Sequence, residues 1–248
     1  MRGTSSRFTF DAGTDAAPVW SPDGTRIVFS SSRAGVFDLY QKNAGGVGAE
    51  ELLLKSDQAK TADDWSRDGN FILYRVQDSK TALDLWVLPL DGDRKPRPIL
   101  QTPFNEFQGR FSPDGRWIAY VSNESGRNEV YVQSFPAPGS KWQISTTGGV
   151  QPRWRGDGKA MFFVSNGQAM AVDVNVPQEG VLAAGVPRRL FPASLVSVAA
   201  ERNAWDVTLD GQRFLVNSST SQAAQVAGQV TPITVVVNWL ASQGRQAE

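Results

Sequence analysis

"FSPDGRWIAYVS", residues 111–122, is the stretch whose reading decides the fold. Ser112-Pro113-Asp114-Gly115 is turn chemistry: Pro at the second position sets φ for a type I turn, and Gly at the fourth accepts the positive φ next to it. Asp114 is placed to accept backbone N–H groups of that turn. The residues after it, Trp117 to Val121, are aromatic, β-branched or small and apolar, the composition of a strand buried on at least one face. The stretch therefore reads as a hairpin corner followed by a core strand.

The same corner recurs along the chain. "VWSPDGTRIVFSSS" begins at residue 19, "DWSRDGNFILYRVQ" at 64, "RFSPDGRWIAYVSN" at 110, "RWRGDGKAMFFVSN" at 153 and "DVTLDGQRFLVNSS" at 206. The aspartates are 23, 68, 114, 157 and 210, at intervals of 45, 46, 43 and 53 residues. That is the period of a four-stranded propeller blade. A third strand follows in each unit ("FDLYQK", "LDLWVLPL", "NEVYVQSF", "QAMAVDV", "PITVVVNWL") and a fourth in four of them ("ELLLK", "RPILQ", "KWQIS", "RRLFP"). No long amphipathic helix intervenes, and even "EGVLAAG" is short and bracketed by glycines.

These observations predict an all-β fold, a single β-propeller domain over residues 1–248 with about five four-stranded blades. The fifth unit lacks a fourth strand, while "SRFTF" at 6–10 is left over before the first. An open sheet ring leaves an unpaired edge unless the termini close it. Arg7 to Phe10 is therefore expected to pair beside Ile233 to Trp239 and finish the last blade. The rival reading is a larger ring entered partway, this chain being the C-terminal part of a longer protein.

Composition removes several function classes. Lys plus Arg and Asp plus Glu are each 25, so no net field draws the chain to nucleic acid or an anionic membrane. With no His and no Cys, the Ser-His-Asp and Cys-His arrangements, disulfides and the usual zinc ligands are excluded. No segment approaches the apolar length of a membrane span, and no cofactor motif or calcium loop occurs around Asp63, Asp64, Asp78, Asp91 or Asp93. Neither a metal nor a cofactor is expected.

The repeat, as Pro18, Trp20, Ser21, Pro22, Asp23, Gly24, Ile27, Phe29, Leu39 and Tyr40, resembles the TolB-like, WD-type β-propeller family over essentially the whole chain. Copies two, four and five depart from it: Arg67 and Gly156 replace the turn Pro, and Val207 replaces the aromatic. Residues 104–174 and the ending "TPITVVVNW" are also similar to the C-terminal propeller of bacterial Ser/Thr protein kinases. That resemblance implies a sensing or scaffolding role and, where the parent spans a membrane, a periplasmic or other extracytoplasmic placement. No kinase motif is present.

Asp and Gly are adjacent in all five corners, which fails the sialidase-type Asp box and leaves a structural turn. The recurring aromatics Trp20, Trp65, Phe111 and Trp154 are expected to fill the wedge between neighbouring sheets, and Trp117 and Trp142, outside that register, to be accessible. The residues before the aromatic position are Val19, Asp64, Arg110, Arg153 and Asp206. On the innermost strands they would ring the central channel, with Asp64 beside Arg110 and Arg153 beside Asp206 as ion pairs. That ring either registers the blades or holds an anionic or peptide ligand through Asp64, Arg110, Arg153 and Asp206.

The expectation is a non-catalytic module, monomeric as an isolated domain, binding a protein or peptide partner or a small ligand in the channel. The alternatives are a glycosidase or lactonase-like hydrolase using Asp64, Glu106 or Asp206, and the gating propeller of a serine peptidase. Neighbouring Arg residues favour charged carboxylates and work against an acid role. The peptidase would need a Gly-x-Ser-x-Gly elbow and a His, which this chain lacks. The tail from Ser194 to Asn203 is the least blade-like piece and a candidate to cross one propeller face, where ligand contacts concentrate.

Overall fold

The computed structural model describes residues 7–137, 139–178, 180–193, 195, 203–217 and 234–237. The described residues contain strands, turns and isolated bridges, with no helix. They fall into two compact units, Met1–Pro103 and Phe104–Glu248.

The first unit holds two antiparallel four-stranded sheets in sequence order. One is β1 (Asp15–Trp20), β2 (Arg26–Ala34), β3 (Val36–Asn43) and β4 (Glu51–Leu54); the other is β5 (Lys60–Trp65), β6 (Phe71–Asp78), β7 (Ala82–Pro89) and β8 (Arg97–Leu100). Val28 and Leu39 of the first sheet and Trp65, Ile72 and Tyr74 of the second share one apolar core. An ion pair accompanies it. Asp38, at the start of β3, meets Lys60, at the start of β5, at 2.7 Å, with both side chains almost wholly buried.

The second unit repeats the plan. Its sheets are β9 (Glu106–Phe111), β10 (Trp117–Ser122), β11 (Glu129–Ser134) and β12 (Lys141–Gln143), then β13 (Val150–Trp154), β14 (Ala160–Ser165), β15 (Gln168–Gln178), β16 (Val181–Ala184) and β17 (Arg188–Pro192). The last is β18 (Trp205–Val207), β19 (Arg213–Val216) and β20 (Thr234–Val237). Two cores lie between these sheets. One joins Trp117 and Val130 to Met161, Phe163 and Val172, and the other joins Phe162 and Leu190 to Trp205 and Phe214. The long interval before the fifth corner is explained by β15, which pairs with β17 near its start and runs on into an extra hairpin with β16.

The corners form as their sequence requires. Gly115 N–H donates to Ser112 O at 2.9 Å with Gly115 at φ 70°, and Gly24 repeats this at φ 69°. The aspartate is an acceptor hub: Asp23 takes bonds from the Ser21 hydroxyl (2.5 Å), the Thr25 N–H (3.0 Å) and the Thr25 hydroxyl (2.9 Å). The Ser21 hydroxyl, with the two Thr25 donors, lowers the Asp23 carboxyl to about 2. Where Ser is absent, Arg155 takes its place, and its guanidinium lowers Asp157 to about 2.

Folded values below the ordinary carboxylate value near 4 mean stability that is present above that value and lost as pH falls towards about 2. Thermal melts between pH 4 and 2 should accordingly show a shallower loss of Tm in an Asp23→Asn, Asp157→Asn double variant than in the parent. Parallel slopes would remove these turns from the acid response.

Four expectations are corrected or left open. Arg7–Phe10 forms no strand and β20 bonds only to β19, so the closing pair is absent among the described residues; Ile233, Asn238 and Trp239 lie outside them. Phe8 and Phe10 instead lie against Lys42, whose ammonium also donates to Phe8 O at 2.8 Å. Trp65 and Phe111 are buried as expected, and Trp154 is partly buried, but Trp20 is 58% exposed on β1. Trp117 is buried at 4% exposure, because alternation along β10 turns Trp117 and Ala119 to the same core. Trp142 is half-buried and packs edge-on against it, with ring centroids 5.3 Å apart.

Candidate functional site

The first strand of each of the first four sheets carries a bulge. The register slips between Ala16 and Val19, between Ala62 and Asp64, between Phe107 and Arg110, and between Val150 and Arg153. Such an extra residue re-aims the side chains after it, and the residue completing each slip is one singled out in the sequence: Val19, Asp64, Arg110 or Arg153. Gln108 (φ 56°) and Gln151 (φ 55°) adopt the left-handed backbone within two of these bulges.

These glutamines stitch the second unit together. Gln151 N–H donates to Gln108 Oε1 at 2.8 Å, which ties β13 to β9. Gln151 Oε1 accepts from Ala204 N–H at 2.9 Å, and Gln151 O from Trp205 Nε1 at 2.9 Å, which ties β13 to the segment entering β18. All three acceptors serve donors in a buried environment, where an unmade bond costs about 1–3 kcal/mol.

That segment delivers Asn203, whose Oδ1 accepts from Arg110 (2.7 Å) and from Arg153 (3.1 Å). Arg153 also donates to Asp206 Oδ1 (3.2 Å), Pro152 O (2.8 Å) and Trp205 O (3.0 Å). Its side chain is 7% exposed, whereas that of Asp206 is 69% exposed. Of the four residues expected at the ring, Arg110 and Arg153 thus share one amide oxygen, and Asp206 joins them through Arg153. The fourth, Asp64, stands half-buried on β5 in the first unit. Glu106, the other carboxylate considered for hydrolysis, is 1% exposed at the start of β9.

Sequence reasoning missed Gln108 and Gln151. The glutamines had a signal: "QGRF" at 108–111 and "QPRW" at 151–154 repeat Gln two places before the Arg. Asn203 is the last residue of the Ser194 to Asn203 tail singled out as a candidate to cross one face; of that tail only residues 195 and 203 lie within the described residues.

The cluster can hold a rigid polar surface with a guanidinium anchored beneath an accessible carboxylate. No group of three or more His, Cys, Asp or Glu side chains among the described residues is arranged to hold a metal ion.

No family model matches the chain. A segment of 131 residues, 52% of the chain, is 29% identical to the Tol-Pal system protein TolB of Anaeromyxobacter dehalogenans, covering 29% of that protein. In fold the chain is similar to the crystal structure of TolB from Acinetobacter baumannii, with a TM-score of 0.66 at 16% identity over 91% of this chain and 52% of that one. It is also similar to a puromycin-hydrolyzing peptidase of Mycobacterium tuberculosis, with a TM-score of 0.58 at 17% identity over 85% of this chain and 36% of that one. The chain thus spans about half the length of the TolB structure it matches. By sequence over about half of its length and by its succession of antiparallel sheets, this chain is similar to TolB proteins and shares the TolB-like fold.

Proposed function

We propose that the chain is a non-catalytic interaction module that presents the Arg110, Asn203, Arg153 and Asp206 surface to a segment of a partner protein. The observation that carries this reading is the saturation of Arg153: four acceptors of the chain itself hold it, while Asp206 reaches solvent beside it. A guanidinium fixed in this way positions its neighbour without reorganising, which lowers the ordering cost of binding. A hydrolase would instead need two carboxylates flanking a substrate, and a saccharide has no access to Glu106.

The TolB of Anaeromyxobacter dehalogenans is named as a protein of the Tol-Pal system, which supports a protein as the partner class. A monomeric state and an extracytoplasmic setting belong to the same reading, as does closure of the sheets into a ring of about five blades. The similarity to a puromycin-hydrolyzing peptidase supports a second reading, a propeller that accompanies a hydrolase.

The test is selection of a displayed random-peptide library on the purified chain, run beside glycoside, lactone and peptide ester substrates. The expected result is an enriched peptide motif and no turnover. Turnover that Asp206→Asn abolishes would make the chain an enzyme.

A further inference from the structure

Val28 and Leu39 of the first sheet enter the core shared with β5–β8. Alternation along β2 and β3 turns Ile27, Phe29, Tyr40 and Lys42 to the opposite face, where the register sets Ile27 beside Lys42 and Phe29 beside Tyr40. These four residues are between 3% and 8% exposed. In the first unit they are covered by residues 7–13, which form no strand. Phe8 stands edge-on to Phe29, with ring centroids 6.4 Å apart, and the Phe8 carbonyl accepts from Lys42 Nζ at 2.8 Å. The same ammonium lies 5.2 Å from the Phe8 ring and 5.4 Å from the Phe10 ring. The Thr9 side chain bonds to the Asp15 carboxylate.

No backbone–backbone hydrogen bond joins residues 7–13 to a strand among the described residues; the chain first fastens to β2 where Ser32 N–H donates to Thr14 O at 3.0 Å. The segment is therefore a strap, tied to the sheet at one end and held along its length by side chains. Charge does not select its place. Arg33 pairs with Asp15 (3.3 Å) and Glu50, and Glu50 with Lys42 (3.4 Å), so two cations meet two carboxylates. What the face takes from the strap is aromatic rings and a main-chain carbonyl.

We propose that this face is a peptide groove filled in cis by residues 7–13, and that it takes, when the strap lifts, an extended segment of a partner protein. The strap shows the chemistry of that occupant: aromatic residues two apart, with the carbonyl of the first at Lys42. A buried ammonium and its apolar surroundings are destabilised when the strap leaves, and a segment supplying the same groups in trans removes that penalty. A second copy's strap makes only the contacts that the chain's own strap makes, and the tether holds the latter at an effective concentration of about millimolar. The occupant is therefore a different protein. The inference does not depend on the arginine cluster, which belongs to the second unit.

The strap has a release point. Gly13 lies so close to β2 that a Cβ there would come within 2.6 Å of Arg33 N and 2.7 Å of Arg33 Cα. Gly13→Ala thus pushes the strap away and leaves every groove side chain in place. The experiment is a fluorescence anisotropy titration of the whole chain with the dye-labelled, C-terminally amidated peptide Arg-Phe-Thr-Phe-Asp-Ala-Gly, which copies residues 7–13. Gly13→Ala is expected to bind it in about the submillimolar range, and the parent about tenfold more weakly, because its own strap competes. Lys42→Met added to Gly13→Ala should weaken binding about tenfold, and so should Ser in place of both Phe residues of the peptide.

Parent binding as tight as that of Gly13→Ala, no binding to Gly13→Ala up to about ten times the millimolar range, or equal binding of the Ser peptide would overturn the proposal. Light scattering of Gly13→Ala is expected to give a monomer; a dimer would make a second copy the occupant and overturn the assignment to a different protein. Should Gly13→Ala not fold, Phe8→Ser with Phe10→Ser loosens the strap from its other end, and the comparison of the two peptides on that variant decides.

Discussion

Asp38→Ala is expected to unfold the chain more readily than any surface substitution, by about 3–5 kcal/mol, because it leaves a buried ammonium without its counter-charge. The Lys60 side chain is 2% exposed and donates to Asp38 Oδ1 (2.7 Å), Gln58 O (2.6 Å) and Ser56 O (3.3 Å). Asp38 also accepts the Ser56 N–H at 3.2 Å, so its loss loosens the connection from β4 to β5 as well as the charge pair.

The pair itself is not a large net gain. Asp38 Oδ2 has no partner among the described residues, and desolvation offsets much of the attraction. A double variant, Asp38→Asn with Lys60→Met, should therefore recover most of what Asp38→Ala loses.

Asp84, at the equivalent place on β7, provides the contrast. It is wholly buried, with a hydroxyl bond from Thr81 (2.7 Å) and no ion pair among the described residues, and burial raises its carboxyl. A raised folded value favours the protonated form, so this group's contribution declines as pH rises from the ordinary carboxylate value through its folded one. Asp84→Asn should be neutral or stabilising at pH 7 and lose that advantage at acid pH. Urea unfolding of the three variants checks this, and an Asp38→Ala loss below about 1 kcal/mol would contradict the buried-pair account.

Arg153→Ala should produce the second large loss, about 2–4 kcal/mol, since buried acceptors lose charged donors. Pro152 O and Trp205 O are the buried acceptors that take this guanidinium, whereas Asn203 Oδ1 keeps its bond from Arg110. Asp206→Ala removes the ion pair from its exposed end, and solvent screening holds its cost to about 1 kcal/mol or less. Equal losses in equilibrium unfolding would show that the pair, and not the anchoring of Arg153, supports the fold.

The repeated corner made much of this architecture legible. Ser-Pro-Asp-Gly with a following apolar strand states its own turn type and its own periodicity, so four strands of a sheet follow from local chemistry. The bulges left no such mark, because an extra residue in a strand is a matter of pairing and not of residue type. Gln108 and Gln151 carry two of those bulges and were visible only as a repeat beside the arginines. Trp117 escapes the sequence pattern because the corner aromatic marks one core face, whereas β10 is covered on both faces. Asp38, Asp84 and Glu129 recur at the start of third strands, yet an acidic residue flanking a turn reads as solvated until burial is known. Glu129, 1% exposed, in fact accepts from the Ser145 hydroxyl and the Gly148 N–H.

The most direct measurement of the interaction reading is calorimetry of a selected peptide against the parent chain, Arg110→Gln and Asp206→Asn, each at matched folded fraction. The expected result is a loss of roughly tenfold or more in affinity for Asp206→Asn, with its Tm within a few degrees of the parent. Peptide binding indifferent to both substitutions would contradict the account, and would leave Arg110, Arg153 and Asp206 as the fastening between sheets alone.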